Sequence, residues 1–295
     1  MRKGGGEIDV LTQLNDAMAY IEAHITDDLA LADVSSVTAY SPYHFGRLFY
    51  YIADVPMSEY IRRRKLSLAA MALQSSDIKV IDLAVLYGYD SADSFTRAFS
   101  KQHGVPPSAA RQPGVHLTIF PPLTFQIKIE GVQAMNWRIE EREAFEVLGI
   151  ERYFRNDAKE ISAFWSEVNA DGSCERLAER VGRGDLMGMC GNMEAGAVGF
   201  MYMICHHAPP GCDTTGFTVA QVPAATWAIF RSDEKKKPPY GKEIARLFRR
   251  AYTEWLPSSG YERIPGPDFE VYSHTDNGKF YEEYWIPVKR AEPQV

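Results

Sequence analysis

The chain of 295 residues carries 32 Lys and Arg against 39 Asp and Glu, a formal charge of −7, with 45% hydrophobic and 24% charged residues. That length accommodates two domains with separate cores, the composition is that of a folded rather than a disordered chain, and no apolar run approaches the ~18 residues of a membrane span. The opening residues, Met1-Arg2-Lys3-Gly4-Gly5-Gly6, lack the apolar core of a signal peptide, so the expected location is the cytoplasm and no membrane partner is expected.

Apolar residues at Val10, Leu11, Leu14, Ala17, Met18 and Ile21 recur at helical spacing and predict an amphipathic helix over Ile8 to Ile21. A short helix follows at Leu31 to Val37, then a turn at Ala39-Tyr40. Ser41-Pro42 opens another helix, with Ser as N-cap and Pro at the first position. Its apolar face is Phe45, Leu48, Phe49 and Ile52. Tyr43, Gly46 and Arg47 fall on other sides.

A longer helix is expected from Met57 to Leu73, carrying Arg62-Arg63-Arg64-Lys65. The earlier pattern then returns: a short helix at Val80 to Leu86, a turn at Gly88, a cap at Ser91, and a second helix. His44-Phe45-Gly46-Arg47-Leu48-Phe49 matches Ser94-Phe95-Thr96-Arg97-Ala98-Phe99 fifty residues on. Each copy is a helix, a tight turn and a helix, the helix-turn-helix arrangement. A repeated Phe-x-Arg-x-Phe at fixed spacing is hard to obtain from a generic helical bundle.

The strings "SPYHFGRLFYYIADVPMSEYIRRRKLSLAAMAL" and "IDLAVLYGYDSADSFTRAFSKQHGVPPSAAR" resemble the AraC/XylS family of DNA-binding domains, over roughly Leu11 to Arg111. The resemblance implies double-stranded DNA as partner, with the second helix of each unit in the major groove and RNA polymerase as a further contact. By position it assigns Tyr43, Gly46 and Arg47 to the first reading helix, and Ala92, Asp93, Thr96 and Arg97 to the second. An Arg suits guanine or phosphate and a Thr suits a thymine methyl, while Asp93 only accepts and Gly46 has no reading group. Arg47, Arg97 and the basic run Arg62 to Lys65 are expected to supply the charge. Residues 1 to 115 nevertheless hold 11 Lys and Arg against 13 Asp and Glu, so the arrangement of charge on faces has to do what net charge does not. Ala39 and Asp54 stand where the family has Gly, and a non-Gly residue there is expected to be strained.

After Pro106-Pro107 and Arg111-Gln112-Pro113-Gly114 the pattern changes to extended segments with alternation and β-branched residues, "HLTIF", "LTFQIKI" and "MNWRIEER". Strands are expected at Leu186 to Cys190, Phe200 to His206, Phe217 to Val222, Thr226 to Phe230, Phe269 to Tyr272 and Tyr281 to Val288. Helices are expected at Ala158 to Val168 and Tyr240 to Trp255. A strand–strand–helix–strand–strand group thus occurs twice, predicting an α+β domain with pseudo-two-fold symmetry. The chain is therefore read as an α+β two-domain protein: an all-α double helix-turn-helix domain over 7–112, a linker over 113–134, and an antiparallel α+β domain over 135–290.

"MNWRIEEREAFEVLGI", "VPAATWAIF", "EWLPSSGYE", "GPDFEVY" and "EEYWIPV" resemble, in order, the gyrase-inhibitor-like (GyrI-like) effector-binding domain. That resemblance implies a groove between the pseudo-repeats that takes flat, often cationic organic molecules over a floor carboxylate. Glu270 matches the floor position, with Tyr272 on its strand face, and Glu283 and Trp285 sharing a face of the last strand. Trp227, Phe230, Tyr202 and Trp165 are aromatic candidates for the walls, each equally readable as core. The leading function is a ligand-responsive transcription regulator. The alternatives are a GyrI-like hydrolase and a drug-sequestering binder using the same groove.

The four cysteines, Cys174, Cys190, Cys205 and Cys212, form no CxxC pair and read as free thiols. Cys205-His206-His207 is a poor metal cluster, because strand neighbours face opposite ways. No cofactor and no metal are expected.

Overall fold

The computed structural model describes residues 10–38, 40, 42–126, 134–154, 158–182, 184–191, 200–238 and 241–291, with the side chains of 43, 158 and 159 outside that set. Contacts divide the chain into two units, 1–126 and 127–295. Ala39, the Ser41 cap, the Tyr43 side chain and Tyr240 lie outside the described residues.

In unit 1 the expected helices form: α1 (Val10–Ala23), α2 (Leu31–Ser35), α3 (Pro42–Ala53), α4 (Met57–Ser75), α5 (Val80–Leu86), α6 (Ala92–His103) and α7 (Pro107–Ala110). The two matching helices α3 and α6 are built alike. Phe45 and Phe49 on α3, and Phe95 and Phe99 on α6, are fully buried. Ser91 caps α6 as expected, its Oγ accepting from Ser94 N at 3.1 Å.

The helix ends also correspond. Gly104 follows α6 at φ 74°, its N–H bonded to Ser100 O at 2.9 Å, and Asp54 follows α3 at φ 56°, its N–H bonded to Tyr50 O at 2.8 Å. Asp54 is the one non-glycine at positive φ among the described residues. Left-handed backbone costs an L-residue about 1–2 kcal/mol, partly offset by the entropy a glycine would lose, so Asp54→Gly is expected to stabilise unit 1 by about 0.5–1 kcal/mol. Denaturant unfolding followed by helical circular dichroism measures it; a destabilised variant would mean the Asp54 side chain contributes more than its backbone strain costs.

Of the expected linker 113–134, the part up to Gln126 clusters with unit 1 and residues 127–133 lie outside the described set. The first part is extended chain lying on the helices. Thr118 O accepts from Gln102 at 3.4 Å, Phe120 O from Arg64 at 2.6 Å, and Phe125 packs edge-on against Phe49 at 6.1 Å.

Unit 2 contains β1 (Asn136–Arg142), β2 (Phe145–Phe154), α8 (Ala158–Ala170), α9 (Ser173–Val181), β3 (Leu186–Cys190), β4 (Phe200–His207), β5 (Thr218–Val222), β6 (Ala225–Arg231), α10 (Lys242–Arg250), β7 (Tyr261–Arg263), β8 (Asp268–His274) and β9 (Phe280–Arg290). A π-helical turn, Ala251–Trp255, extends α10 to the expected end. The strands join antiparallel in the order β1-β6-β9-β8-β3-β4-β2-β5, with β7 on β9. The groups β2-α8/α9-β3-β4 and β6-α10-β8-β9 are related by a pseudo-two-fold between β3 and β8. Each group's leading strand, β1 or β5, pairs with the other group.

That exchange curls the sheet. Flat, six spacings of ~4.8 Å would separate β1 from β2 by about 29 Å. Only Glu143 and Ala144 join them, and three Cα steps reach about 11 Å at most. The sheet therefore bends round, and its inner face becomes a core without helices: Val147, Met203, Val222, Trp227, Phe269 and Trp285 pack together there. The outer face is the one the helices cover, as in the Phe154–Phe164, Phe248–Tyr284 and Phe230–Trp255 ring contacts at 5.7, 5.2 and 5.2 Å.

Candidate functional site

On α6 the buried stripe Phe95, Phe99 and His103 turns the remaining residues outward. Asp93 and Arg97 are exposed, and Ala92 and Thr96 are half-buried beside them. This helix presents the four candidates named from the sequence on one turn and a half, with Lys101 exposed one turn further on.

On α3 the outcome differs. Arg47 is 6% exposed, its guanidinium 5.4 Å from the Tyr51 ring centroid. A side chain held against its own helix is not displayed for base reading. Gly46 faces α2: a Cβ there would stand 3.0 Å from Leu31 Cδ2, so the glycine serves close helix packing. A missing reader is not the reason for that residue.

Of the basic run on α4, Arg64 turns inward and the others stay half-exposed. Arg62 and Arg63 both bind Glu59, at 2.8 and 2.6 Å, and Arg63 lies over the Phe120 ring at 5.0 Å. Arg64, 4% exposed, grips both Glu22 oxygens at 2.8 and 2.6 Å. Lys65 Nζ donates to Asp27 O at 3.2 Å. For Arg64 the expectation that this run meets phosphate is corrected, since its charge is satisfied inside unit 1 by a carboxylate and a carbonyl; Arg62 and Arg63, paired with Glu59, keep side chains 37% exposed.

In unit 2, four of the eight ligand candidates converge on the outer, helix-covered face of the sheet. Glu270 on β8 is 6% exposed, and its Oε2 accepts from Tyr202 Oη at 3.0 Å and Tyr272 Oη at 2.9 Å. Tyr202 Oη in turn accepts from Trp165 Nε1 on α8 at 2.9 Å, and the Trp165 and Tyr272 rings meet edge-on at 5.3 Å. Tyr272 Oη also lies close to Gly241, at the start of α10. The carboxylate thus sits on the floor between the helices of the two pseudo-repeats. Burial raises the Tyr202 phenol well above its ordinary pKa, with the Glu270 charge adding to the effect, so it remains a donor at neutral pH.

The other four candidates are placed elsewhere. Glu270 pairs with Tyr284 across β8 and β9, so Glu283 and Trp285 point to the inner face of the sheet. There Glu283 receives both terminal nitrogens of Arg138, at 2.8 and 3.2 Å, and Trp285 Nε1 at 2.8 Å. Arg142 lies over the Trp285 ring at 4.2 Å. Trp227 packs with Trp285 and Phe269 on that inner face. Phe230 shares the outer face with Glu270 but is fully buried beneath Trp255. Glu283, Trp285 and Trp227 are therefore corrected from groove residues to inner-core residues, and Phe230 to outer-face core.

Two residues of the outer face were missed. Glu282, fully buried, accepts from the backbone N–H of Gly241, Glu243 and Ile244, the last two at 3.0 and 2.9 Å, and anchors the start of α10. Burial raises its pKa against the pull of those three donors. The dipeptide Glu282-Glu283 signalled that one carboxylate faces each way, without saying which. Gly188, paired with Glu270 on β3, is the second: a Cβ there would stand 2.0 Å from Tyr202 Oη, so its absence lets Tyr202 lie across the strand to reach the carboxylate.

Cys190 and Cys205 are buried, Cys174 and Cys212 half-buried, and none of the four is in a disulfide. Cys205 faces the inner core and His206 the outer face. No group of three His, Cys, Asp or Glu among the described residues is arranged to hold a metal.

The chain matches the family model of integron-associated effector binding proteins over residues 138–288, and a helix-turn-helix domain model over residues 34–113. It is 37% identical over 98 residues to the HTH-type transcriptional activator AarP of Providencia stuartii, covering 33% of this chain and 73% of that protein. It is 34% identical over 99 residues to the right origin-binding protein of Escherichia coli K12, and that match spans only 34% of the relative's length. Among solved structures, SAV2435 bound to tetraphenylphosphonium overlays with a TM-score of 0.43 at 18% identity, covering 52% of this chain and 94% of that one.

Proposed function

This chain belongs to the family of integron-associated effector binding proteins and carries an AraC-type helix-turn-helix domain ahead of that region, and we propose that it is a regulator that binds planar organic cations and controls transcription by binding DNA. The observation that carries the ligand reading is Glu270, a carboxylate sunk between aromatic rings. Desolvating such a charge is costly, a cation offsets the cost, and a neutral guest leaves it standing. The Trp165 and Tyr272 rings add π-face attraction for the same guest. Both phenols donate to Glu270 Oε2, which fixes the carboxyl group beneath the rings.

DNA reading falls mainly to α6, where Asp93, Thr96 and Arg97 are accessible. On α3 the buried Arg47 and the packed Gly46 leave less to read with, so base information concentrates in one half-site. The relative AarP is named an activator, which supports activation with RNA polymerase as a contact, in the cytoplasm where the DNA is.

Selection from random duplexes tests the DNA reading. An enriched motif with most of its information in one half-site is the expected result. Arg97→Ala should cost about 1–3 kcal/mol and relax a single position in that half-site. Recovery of no motif at low salt would refute DNA recognition, and equal information in both halves would refute the division between α3 and α6.

A further inference from the structure

Two helix-turn-helix units joined by one helix, α4, are held at a set distance but can pivot about its ends. A second tie removes that freedom. Residues 117–125, which include Pro121-Pro122, run from the second unit back to the first as extended chain. Proline restricts such a segment before it docks, so little entropy is lost in laying it down. At one end, Leu117 packs on the core of the second unit and Thr118 O accepts from Gln102 of α6. Gln102 Nε2 also donates to Arg63 O and Ser67 Oγ of α4, each at 3.2 Å. In the middle, Ser67 Oγ accepts from Phe120 N at 3.0 Å and Tyr60 Oη from Leu123 N at 3.1 Å. At the far end Phe125, 8% exposed, meets Phe49 of α3. Its backbone is held both ways by Asn15 of α1: N–H to Oδ1 at 2.9 Å and O from Nδ2 at 3.0 Å.

The segment therefore touches both recognition helices, α6 through Gln102 and α3 through Phe49. The seven Cα steps of extended chain from Thr118 to Phe125 reach about 23 Å. Phe125 stands two residues before unit 2 begins at Ile127. The anchor nearest in sequence to the effector-binding unit is thus the one seated on the first recognition helix.

We propose that residues 117–125 are a strap that fixes the mutual orientation of α3 and α6, which makes Phe125 and Asn15 positioning residues for DNA recognition. This rests on the DNA reading above. Two linked reading helices bind as a bivalent unit, and the stiffness of the link sets how strongly a correctly spaced second half-site is favoured. Loosening the strap lowers that preference without altering either reading surface.

The experiment uses the full chain and its selected duplex, with versions carrying one base pair more or less between the half-sites, and a duplex with the α6 half-site alone. The unmodified protein should discriminate against both altered spacings, because α3 must still seat in its groove even though it reads few bases there. Phe125→Ala and Asn15→Ala should each reduce that discrimination by about tenfold, with affinity for the single half-site unchanged. Phe125→Leu, which keeps an apolar anchor, should restore most of it. Asn15 is half-buried on α1 and its replacement removes only the two bonds to the strap, so it carries the test should Phe125→Ala not fold. Unchanged spacing discrimination in Asn15→Ala, or loss of single half-site affinity in step with the loss on the full duplex, would overturn the strap. Failure of the unmodified protein to select any duplex would instead overturn the DNA reading, and the strap with it.

Discussion

Glu270→Gln is expected to weaken binding of a planar cationic dye by tenfold or more, about 1.4 kcal/mol, while affinity for a neutral analogue of the same shape changes little. The substitution keeps the volume and one acceptor for the Tyr202 and Tyr272 hydroxyls, whose bonds to Glu270 are 3.0 and 2.9 Å long. What it removes is the charge. Against a parent affinity in the micromolar range, about −8 kcal/mol, the carboxylate then supplies a minor but selective share, beside cation–π terms of about 0.5–2 kcal/mol. Fluorescence quenching follows the titration with site resolution. Trp227 and Trp285 lie on the inner face, Trp255 stacks on Tyr261 and the exposed Trp137 packs edge-on against Trp255, away from Glu270, which leaves Trp165 as the indole beside that carboxylate. Trp165→Phe should abolish most of the quench and shift the affinity only modestly. Glu283→Gln is the internal control: its carboxylate faces the inner core, held by Arg138, so it should cost stability and leave cation selectivity untouched. Equal losses for cationic and neutral dyes in Glu270→Gln would remove charge as the recognition element. Greater loss of selectivity in Glu283→Gln would move the site to the other face.

Arg64→Ala should destabilise unit 1 by about 3 kcal/mol, because it strands a part-buried carboxylate and a carbonyl together. Arg64 binds both oxygens of Glu22 and donates to Phe120 O at 2.6 Å, and Tyr60 Oη donates to Glu22 at 2.9 Å. The loss falls at the low end for a broken buried pair because the Glu22 side chain is 25% exposed. Burial pushes the Glu22 pKa up, but the hydrogen bonds from Arg64 and Tyr60 outweigh it and the carboxyl ends below its ordinary value. A depressed folded pKa contributes stability that is complete above the unfolded value near 4.5 and is lost as pH falls through the folded one. Parent and variant should therefore converge in stability as acid protonates Glu22. All five tryptophans, from Trp137 to Trp285, lie in unit 2, so helical circular dichroism is the probe for unit 1.

DNA binding separates this structural role from the one expected of a basic run. Each lost phosphate contact lowers the slope of log K against log salt by about 0.9. Arg64→Ala, measured well below its melting point, should keep the parental slope, whereas Arg97→Ala should lower it if Arg97 also meets phosphate. A slope reduced by about one in Arg64→Ala would return Arg64 to the DNA interface.

What the amino-acid sequence determined by itself is what depends on near neighbours. The two helix pairs, their buried Phe-x-x-x-Phe stripes, the Ser91 cap and the left-handed position after α3 all rest on contacts within about one turn of helix, and each is present. The twice-repeated strand–strand–helix–strand–strand order was legible for the same reason, whereas Glu270 was legible only through the family resemblance, since Tyr202, which donates to it, lies 68 residues away. Tertiary structure decided everything that turns on parity and pairing. Glu282 and Glu283 are adjacent, and only the register of Glu270 against Tyr284 sends one to the helix-covered face and the other into the inner core. Trp227 and Trp285 looked like groove walls because nothing local says that a two-residue join between β1 and β2 curls the sheet over them. Arg64, within the basic run on α4, likewise reads as part of a phosphate surface until Glu22 and Phe120, 42 and 56 residues away, are brought against it. Helical periodicity is set within four residues, whereas the face a strand residue occupies and the partner a long cation finds are set by segments that meet only on folding.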